Sequence, residues 1–395
     1  MTGGYNVDSF KVALISEEYP PYMFGGIGSA CHDYANALSK KGVQTTVFCA
    51  KAQTPSREQA NSNLEIIRLP CLELPPRFVW FQIQNLKFFT NAFKDYSVLH
   101  VFNPQAGATT AFLKRKLKKP LITSIHGLHL TSLKLSLCSP RVNWTPKDIG
   151  FQLAGYPVQF LAHDICLRNS DQVAVCNHST VTQLRQMFSY LEPEKISVIY
   201  NGLNFEDIKP AENGNDGAIV YCGRLYWAKG VTFFVHALSN LRRSHPDFQA
   251  KIFGDGPLRE KTRSLISNLG LSENVSIEGF IPRKQLFGEI SKASMVVLPS
   301  LYEAQPVAVL EAMACRKPVV AFDLPFAAEI IKPGVNGFLA KPGNVKDLAD
   351  KMSMLLEDAN LRARLGANGY AYVKQNHSWD VLVEKYLDLY SRIIR

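Results

Sequence analysis

The sequence predicts an α/β protein built from two doubly wound, Rossmann-like domains that face each other across a cleft. The chain has 395 residues, which is too long for one ordinary core and suits two domains. Strand-like and helix-like segments alternate through almost the whole chain, which is typical of parallel sheets covered by helices on both faces. One polar segment near the middle interrupts this alternation, so we expect the domain boundary there.

The first half of the chain predicts an N-terminal domain of residues 1–205. It begins with a β-rich run, KVALISEEY, at residues 11–19, followed by a helical spacing of apolar residues at 27–41. Further strands are predicted at residues 43–50, 64–69, 98–103, 121–126, 172–176 and 196–200. Several of these runs are apolar without alternation, as expected for parallel strands that are buried on both faces.

The second half restarts the same pattern after an interdomain linker at residues 206–217, which is rich in Gly, Asn, Asp and Pro. A second Rossmann-like domain is predicted for residues 218–376. Its strands are predicted at residues 218–223, 249–254, 275–278, 295–299 and 318–322. Amphipathic helices follow at residues 347–356 and 360–375, and a last helix lies within residues 377–395.

Composition is that of an ordinary globular protein, with 46% hydrophobic and 20% charged residues. No segment reads as a membrane span, and the N-terminus lacks the basic start and apolar core of a signal peptide. The eight cysteines are scattered and form no CxxC pair, so we expect buried thiols in a reducing compartment. These features predict a cytoplasmic protein.

Positive charge is uneven along this chain, whose net charge is +10. Between Asp95 and Asp148 there is no acidic residue, and the basic residues there are Lys114, Arg115, Lys116, Lys118, Lys119, Lys134, Arg141 and Lys147. This pattern fits either a solvated helix face or a surface for anionic partners, such as a nucleotide or a membrane. No zinc-finger spacing or RNA-binding aromatic signature occurs, so nucleic acid is not an expected partner.

Two segments of the first domain raise the hypothesis of a peripheral contact with an anionic membrane, at its inner face. Residues 113–120 read LKRKLKKP, and residues 77–89 hold the aromatic side chains Phe78, Trp80, Phe81 and Phe88. Basic, aromatic surfaces are typical of interfacial binding. The alternative is an ordinary helix whose aromatic stripe faces the core.

Glycines after the first strand form the first candidate ligand site. Gly25, Gly26 and Gly28 open the first helix, where the backbone amides and the helix N-terminus favour a phosphate or a sugar. The spacing does not match GxGxxG, and a tight strand-to-helix turn without a ligand explains the glycines equally well. Both interpretations stay open at this point.

Two cations follow the first strand of the second domain and form a second candidate site. Arg224 directly follows Gly223, and Lys229 precedes Gly230. Cations at a strand end and a helix start can neutralise a diphosphate without a metal ion. Because the chain also lacks a DxD carboxylate pair, no metal and no other cofactor is expected.

Two glutamates eight positions apart form the third candidate site. Glu303 follows a predicted strand, and Glu311 lies about one and a half turns into the next helix, with Pro306 at its first turn. Carboxylates accept hydrogen bonds from sugar and ribose hydroxyls. Their position after the two cations favours a ligand that carries both phosphate and sugar.

These motifs together resemble glycosyltransferase family 4, a large retaining family with the two-domain GT-B fold. The resemblance rests on GGIG at residues 25–28, SIHG at 124–127, YNG at 200–202, GRLYWAKG at 223–230, FGDGP at 253–257 and the two glutamates within PSLYEAQPVAVLEAMACRKPVVA. It covers nearly the whole chain and is strongest from residue 223 to 336. It also implies that the final helix crosses back to pack on the first domain.

The resemblance implies a role for each matching residue. Arg224 and Lys229 would bind the donor diphosphate, Glu303 the transferred sugar and Glu311 the ribose, while His126 would lie near the sugar and phosphate. With these, the candidate catalytic residues are His126, Arg224, Lys229 and Glu303. The other candidate donor-binding residues are Gly26, Gly28, Gly254, Phe280, Ile281, Gln305, Val307 and Glu311.

The implied reaction is transfer of a hexose-type sugar, with retention, from a UDP- or GDP-sugar to a hydroxyl of a lipid-linked, glycan or small-molecule acceptor. The family commonly has Gly-Phe-Gly after the first glutamate, whereas this chain has Ala304-Gln305-Pro306. Pro306 lacks an N–H donor, and Gln305 offers a side-chain amide instead. Two alternatives remain: a nucleotide-sugar epimerase on the same scaffold and a non-catalytic nucleotide-sugar-binding protein.

Overall fold

The computed structural model describes residues 11–22, 26–52, 54–74, 76–127, 155–208 and 217–394. The chain divides into two compact units. One comprises Met1–Gly202 with Trp379–Arg395, and the other comprises Leu203–Ser378. Most of the predicted linker, residues 209–216, lies outside the described residues.

The first unit contains an eight-stranded sheet among its described residues, in the order β3-β4-β2-β1-β5-β6-β7-β8. Its strands are β1 (Lys11–Ile15), β2 (Gln44–Ala52), β3 (Ser56–Asn61), β4 (Leu64–Pro70), β5 (Val98–Val101), β6 (Leu121–Ile125), β7 (Gln172–Val175) and β8 (Ile196–Val198). Its first six described helices are α1 (Gly26–Lys40), α2 (Arg77–Gln84), α3 (Leu86–Ala92), α4 (Ala108–Leu117), α5 (Tyr156–Asn169) and α6 (His178–Met187). All pairings are parallel except that of β3 with β4.

Strand β1 shows why this sheet is covered on both faces. Its sequence is KVALI, and every residue after the lysine is buried. Val12 and Leu14 pack into the core that contains α1, whereas Ala13 and Ile15 pack into the core beneath α2–α4. Because successive side chains of a strand point to opposite faces, a continuous apolar run packs against the helices on both faces of the sheet.

Strand β3 is absent from the sequence prediction. Its sequence is SREQAN, and all six of its residues are exposed. Among the described strands it pairs only with β4, so it lies at the edge of the described sheet. An exposed polar edge strand buries no apolar face, and hydrophobic patterning therefore gives no signal for it.

The aromatic residues of α2 and α3 face the interior. Phe78 and Phe81 are buried, and Phe81 and the half-buried Phe88 pack in the core that contains Phe48. The expectation that residues 77–89 form an aromatic surface is therefore wrong for these side chains. Their helical spacing places them on the apolar stripe that covers the sheet, which is the alternative considered above.

The described part of the second unit contains a six-stranded parallel sheet, in the order β11-β10-β9-β12-β13-β14. Its strands are β9 (Ile219–Cys222), β10 (Ala250–Phe253), β11 (Val275–Gly279), β12 (Met295–Leu298), β13 (Val319–Phe322) and β14 (Gly337–Ala340). Its helices are α7 (Val231–Leu241), α8 (Arg259–Asn268), α9 (Arg283–Lys292), α10 (Val307–Ala314), α11 (Pro325–Ala328), α12 (Val345–Glu357) and α13 (Ala359–Asn376). The strand order reverses between β9 and β12, the place where open α/β sheets bind ligands.

The last helix, α14 (Trp379–Ile393), belongs to the first unit and packs against α1. Its tyrosines join a buried hydrogen-bond network. Tyr390 Oη lies 2.5 Å from Tyr34 Oη and 2.6 Å from Nδ1 of His100, and His100 Nε2 lies 2.7 Å from Oγ of Ser124. The network ties α14 to α1, β5 and β6, so the C-terminus is an integral part of the first unit.

Candidate active site

The first candidate cation lies in the turn that follows β9. Gly223 N–H donates to Phe253 O at 3.0 Å, and Leu225 N–H donates to Asp255 O at 2.9 Å. The turns after β9 and β10 therefore hold each other in place. Between these anchors the side chain of Arg224 is exposed, and within the described residues it has no hydrogen-bond partner. A fixed backbone with a free guanidinium suits capture of an anionic ligand.

The second cation lies in a short 3-10 turn, Trp227–Lys229, that leads into α7. Gly230 follows with φ +70°, and a Cβ there would lie 1.8 Å from the carbonyl oxygen of Pro299. Only glycine fits so close to the end of β12. Tyr221 Oη donates to Lys229 O at 3.2 Å, which fixes the lysine backbone from the other side.

Glu303 is the partner of this lysine. Lys229 Nζ donates to Glu303 Oε1 at 2.5 Å, and Ser300 Oγ donates to the same oxygen at 3.0 Å. The glutamate side chain is only 16% exposed. The structure therefore joins two residues that the sequence predicted for one site, across the strand-order reversal between β9 and β12.

Glu311 lies on α10 with its side chain 10% exposed, and it pairs with Arg283 at the start of α9. Arg283 Nε donates to Glu311 Oε1 at 2.7 Å. The sequence interpretation missed Arg283. A carboxylate on an otherwise apolar helix signals that a cation must lie nearby, because buried carboxylates are almost always paired. Which cation pairs with it is decided by tertiary packing.

Gln305 lies beside a buried histidine. It is buried, and its Nε2 lies 3.3 Å from Nδ1 of the buried His377. The prediction that its side-chain amide can serve the sugar stays a prediction. Burial against His377 gives Gln305 a packing role just before α10, which begins at Val307 after Pro306.

Four other predicted donor-binding residues lie in the same unit. Gly254 has φ +134°, and a Cβ there would lie 2.0 Å from Gly223 O, so only glycine allows the two turns to approach. Phe280 follows β11 and is 79% exposed. Ile281 and Val307 are half-buried and pack against the core of the unit. Of the two residues predicted near the base, Phe280 is therefore the exposed one, and Ile281 is packed against the core.

The first unit contributes two predicted glycines at the start of α1. Gly26 is exposed, with open space where a side chain would begin, whereas Gly28 is buried within the helix. Gly25 lies outside the described residues. Gly26 can therefore admit a ligand close to the backbone, and Gly28 serves helix packing in this structure.

His126 directly follows β6 and stacks on Phe102, with ring centroids 4.2 Å apart. Burial lowers the pKa of His126 to about 4, and the nearby Asn201 raises it only in part. Neither ring nitrogen reaches hydrogen-bond geometry with a described residue. The imidazole is therefore neutral near pH 7, able to donate one hydrogen bond and accept one.

Family models match almost all of the described chain. The model described as Glycosyltransferase Family 4 matches residues 24–207, and the one described as Glycosyl transferases group 1 matches residues 204–372. An uncharacterized glycosyltransferase of Methanocaldococcus jannaschii is 31% identical over 288 residues, which are 72% of this chain and 71% of that protein. The chain belongs to glycosyltransferase family 4.

Solved structures agree with this assignment. Sucrose-phosphate synthase from Thermosynechococcus elongatus matches this glycosyltransferase with a TM-score of 0.79 at 22% identity, over 97% of this chain and 98% of that one. The HepE protein of Anabaena, solved with UDP and glucose, matches with a TM-score of 0.75 at 19% identity, over 97% and 100% of the two chains. The glycosyltransferase therefore has the GT-B fold, with two parallel-sheet domains.

The geometry of the second unit explains what the glycosyltransferase can do chemically. The ion pair and the exposed guanidinium lie at adjacent strand ends, and a second acidic residue lies one helix away. Cations stabilise a leaving phosphate, and carboxylates bind hydroxyls. Within the described ranges no group of three His, Cys, Asp or Glu side chains could hold a metal ion.

Proposed function

We propose that this glycosyltransferase moves a hexose-type sugar from a UDP- or GDP-sugar to an acceptor hydroxyl, with retention and without a metal ion. The Lys229–Glu303 pair carries the proposal, because it places a phosphate-binding group and a hydroxyl-binding group 2.5 Å apart at the strand-order reversal. A nucleoside diphosphate sugar has phosphate and sugar joined by the bond to be broken. The pair therefore matches the reacting end of such a donor.

The diphosphate would be bound by Arg224 and Lys229. Both follow β9, and the guanidinium of Arg224 has no competing acceptor among the described residues. As the sugar–phosphate bond breaks, negative charge grows on the leaving oxygen. Two nearby cations stabilise that charge more strongly in the transition state than in the ground state, which is the condition for acceleration.

The two carboxylates would contact different parts of the donor. Glu303 is fixed beside Lys229 by two hydrogen bonds and would contact the transferred sugar. Glu311 lies on α10, held by Arg283, and would bind the ribose hydroxyls. A ribose contact far from the reacting carbon contributes equally before and during reaction, whereas a contact near the sugar ring gains strength as the ring becomes positive.

The remaining predicted contacts support the same donor. Phe280 offers an exposed ring for the nucleobase, and Gly26 leaves space at the start of α1 for phosphate or sugar. His126 would hydrogen-bond the sugar in its neutral form. Family membership favours retention, and the HepE structure with UDP and glucose supports a UDP-sugar as the donor.

A thermal-shift panel tests the donor. UDP-glucose, GDP-mannose and ADP-glucose are each added to the enzyme at increasing concentration. A true donor at about a hundred times its dissociation constant stabilises the protein by about 2.7 kcal/mol. We expect a UDP- or GDP-sugar to do so; the absence of any response would contradict the proposal. Isomerised donor sugar formed without an acceptor would indicate an epimerase instead.

We also infer that the glycosyltransferase contacts the anionic inner face of a membrane through the helices α2–α5. Large apolar side chains are exposed on this layer: Ile83, Leu86, Phe112, Val158 and Leu161. These helices pack on one another, α2 and α3 against α4, and α4 against α5. Within the described ranges no helix is long and apolar enough to cross a membrane.

Charge on the same layer supports an anionic partner. Arg115, Lys116 and Lys118 on or next to α4 are exposed, whereas Lys114 is paired with Asp171 at 2.6 Å. Exposed cations beside apolar side chains match the requirements of interfacial binding. Lys119 is half-buried, and the other basic residues of this stretch, Lys134, Arg141 and Lys147, lie outside the described residues.

Vesicle flotation tests this contact. The protein should float with phosphatidylcholine vesicles that contain phosphatidylglycerol and remain at the bottom with phosphatidylcholine alone. Phe112→Ser should reduce flotation, because Phe112 is 71% exposed. Met354→Ser, at an exposed position of α12 in the other unit, is the control. Equal flotation with both vesicle types would contradict the inference.

A further inference from the structure

A cavity of about 670 Å³ lies in the first unit, at the carboxyl ends of β2 and β4. Its lining includes Tyr22, Lys51, Thr54, Ser56, Glu58 and Arg68. Open α/β sheets bind ligands outside the carboxyl ends of their strands, so this is a favourable place for a substrate. The proposed donor contacts do not use any of these residues.

Lys51 is directed toward this cavity by an unusual backbone. Its φ is 108°, a conformation that residues with side chains rarely adopt. The pairing of β2 with β4 shifts register between Ala50 and Ala52, so Lys51 is the extra residue of a bulge. Bulges redirect a side chain near the end of a strand. The Lys51 ammonium lies 3.5 Å from the ring centroid of Tyr22.

Of the two basic side chains that line the cavity, one is paired with an acidic residue and the other is not. Arg68 ion-pairs with Glu58 at 3.5 Å and donates to Pro20 O at 2.8 Å, so its guanidinium is already occupied. Lys51 has no acidic partner among the described residues, and the exposed hydroxyls of Thr54 and Ser56 form no hydrogen bond with them. The cavity therefore offers one uncompensated cation and two hydroxyl donors.

We propose that this cavity binds an anionic group, a phosphate or a carboxylate, carried by the acceptor substrate. The proposal rests on the proposed transferase reaction, which requires a second substrate besides the donor. Lys51 would donate charge-assisted hydrogen bonds to the anion, and Thr54 and Ser56 would donate from their hydroxyls. The contact with Tyr22 keeps the ammonium in place without consuming its donors.

The anionic group has two sources with the same chemistry. A soluble sugar phosphate carries it free in solution, whereas a lipid-linked acceptor carries it at a membrane surface. Both would place a phosphate oxygen within reach of Lys51. The experiment below has one arm for each source.

The test measures phosphate binding by calorimetry at low salt, with UDP present at saturation so that the donor site is filled. The probes are inorganic phosphate in one arm and phosphatidylcholine vesicles with or without phosphatidylglycerol in the other. Lys51→Ala should weaken phosphate binding about tenfold, the low end for a lost charged hydrogen bond at an exposed site. The matched control is Lys11→Ala, which removes an exposed lysine at the amino end of β1.

The outcomes separate this proposal from the proposed function. Phosphate binding that weakens in Lys51→Ala but not in Lys11→Ala supports the cavity and a soluble acceptor. Lys51-dependent binding to anionic vesicles alone supports the cavity and a lipid headgroup. Equal binding by the two variants, or none by the wild type in either arm, overturns the proposal. Failure of UDP to bind any variant would instead count against the donor assignment.

Discussion

The ammonium of Lys229 lies 2.5 Å from Oε1 of Glu303, and Ser300 donates to the same carboxylate oxygen. The pair spans the two strands at which the sheet order reverses. Each partner balances the charge of the other while the donor is absent. If the proposed donor binds here, both side chains are already held in place, and little reorientation would be needed.

Replacing Glu303 should lower kcat. In Glu303→Gln the group proposed to lie beside the transferred sugar loses its charge, which would matter most when the sugar ring becomes positive. A lost charged hydrogen bond costs about 1.5–3 kcal/mol, or about one to two decades of kcat. Steady-state rates over a donor concentration series measure this. Glu273→Gln, at an exposed position of the same unit, is the control. An unchanged kcat would show that Glu303 has another role.

Replacing Glu311 should instead raise the KM for the donor. Uniform binding lost on mutation weakens the donor complex and leaves kcat largely intact. If Arg283 acts by orienting Glu311, the double variant Arg283→Ala/Glu311→Gln should have nearly the same donor KM as Glu311→Gln alone. Additive effects would contradict this coupling, which for contacting residues is about 0.5–3 kcal/mol. The half-buried ion pair of Lys251 and Glu289 provides a control cycle.

These residues show which parts of the site the sequence can predict. Lys229 and Glu303 are predictable because each follows an apolar strand, and neighbouring parallel strands bring such positions to one sheet edge. Arg283 is not, because its contact with Glu311 depends on how α9 packs beside α10. The burial of Gln305 against His377 likewise depends on a residue 72 positions away.

In the fold, too, some elements can be predicted from the sequence and others cannot. Apolar runs such as KVALI in β1 mark strands that are buried on both faces, and these were predicted. The polar edge strand β3 and the short strand β14, with sequence GFLA, were missed because neither has a distinctive hydrophobic period. From the sequence, the aromatic residues of α2 fit either a membrane-binding surface or a stripe that faces the core. Only their burial in the structure distinguishes the two.

The half-buried His126 at the end of β6 should make the protein sensitive to acid. The folded pKa of His126 is about 4, below the ordinary value, so the folded state binds fewer protons than the unfolded state. The contribution of the neutral His126 to the free energy of unfolding is complete above about pH 6.5. It is lost as the pH falls toward 4. When the pH is lowered from about 7 to about 5, the free energy of unfolding of the wild type should fall by about 2 kcal/mol more than that of His126→Asn.

Urea unfolding at the two pH values measures this difference. His236→Asn, at an exposed position of α7, is the control and should retain the full pH dependence. The fully buried His100, whose pKa is lowered to about 3 by desolvation and, to a lesser extent, by the charge of His126, is present in all three proteins. Parallel loss of stability in the wild type and His126→Asn would contradict a neutral, desolvated imidazole at this position.

Sugar transfer should be independent of divalent metal ions. In the proposed mechanism Arg224 and Lys229 would supply the positive charge that a metal ion otherwise provides to a leaving diphosphate. Activity measured before and after treatment with a chelator should agree within experimental error. A large loss of activity that magnesium or manganese restores would refute this mechanism.

The central claim is tested most directly by the affinity for the donor of variants that lack one of the two cations. UDP-hexose binding is measured by calorimetry for the wild type, Arg224→Ala and Lys229→Ala, with the exposed Arg243→Ala as a charge-matched control in the same unit. The account predicts that each of the first two variants binds about ten- to a hundredfold more weakly and that the control binds as the wild type does. Wild-type affinity in both Arg224→Ala and Lys229→Ala would contradict it.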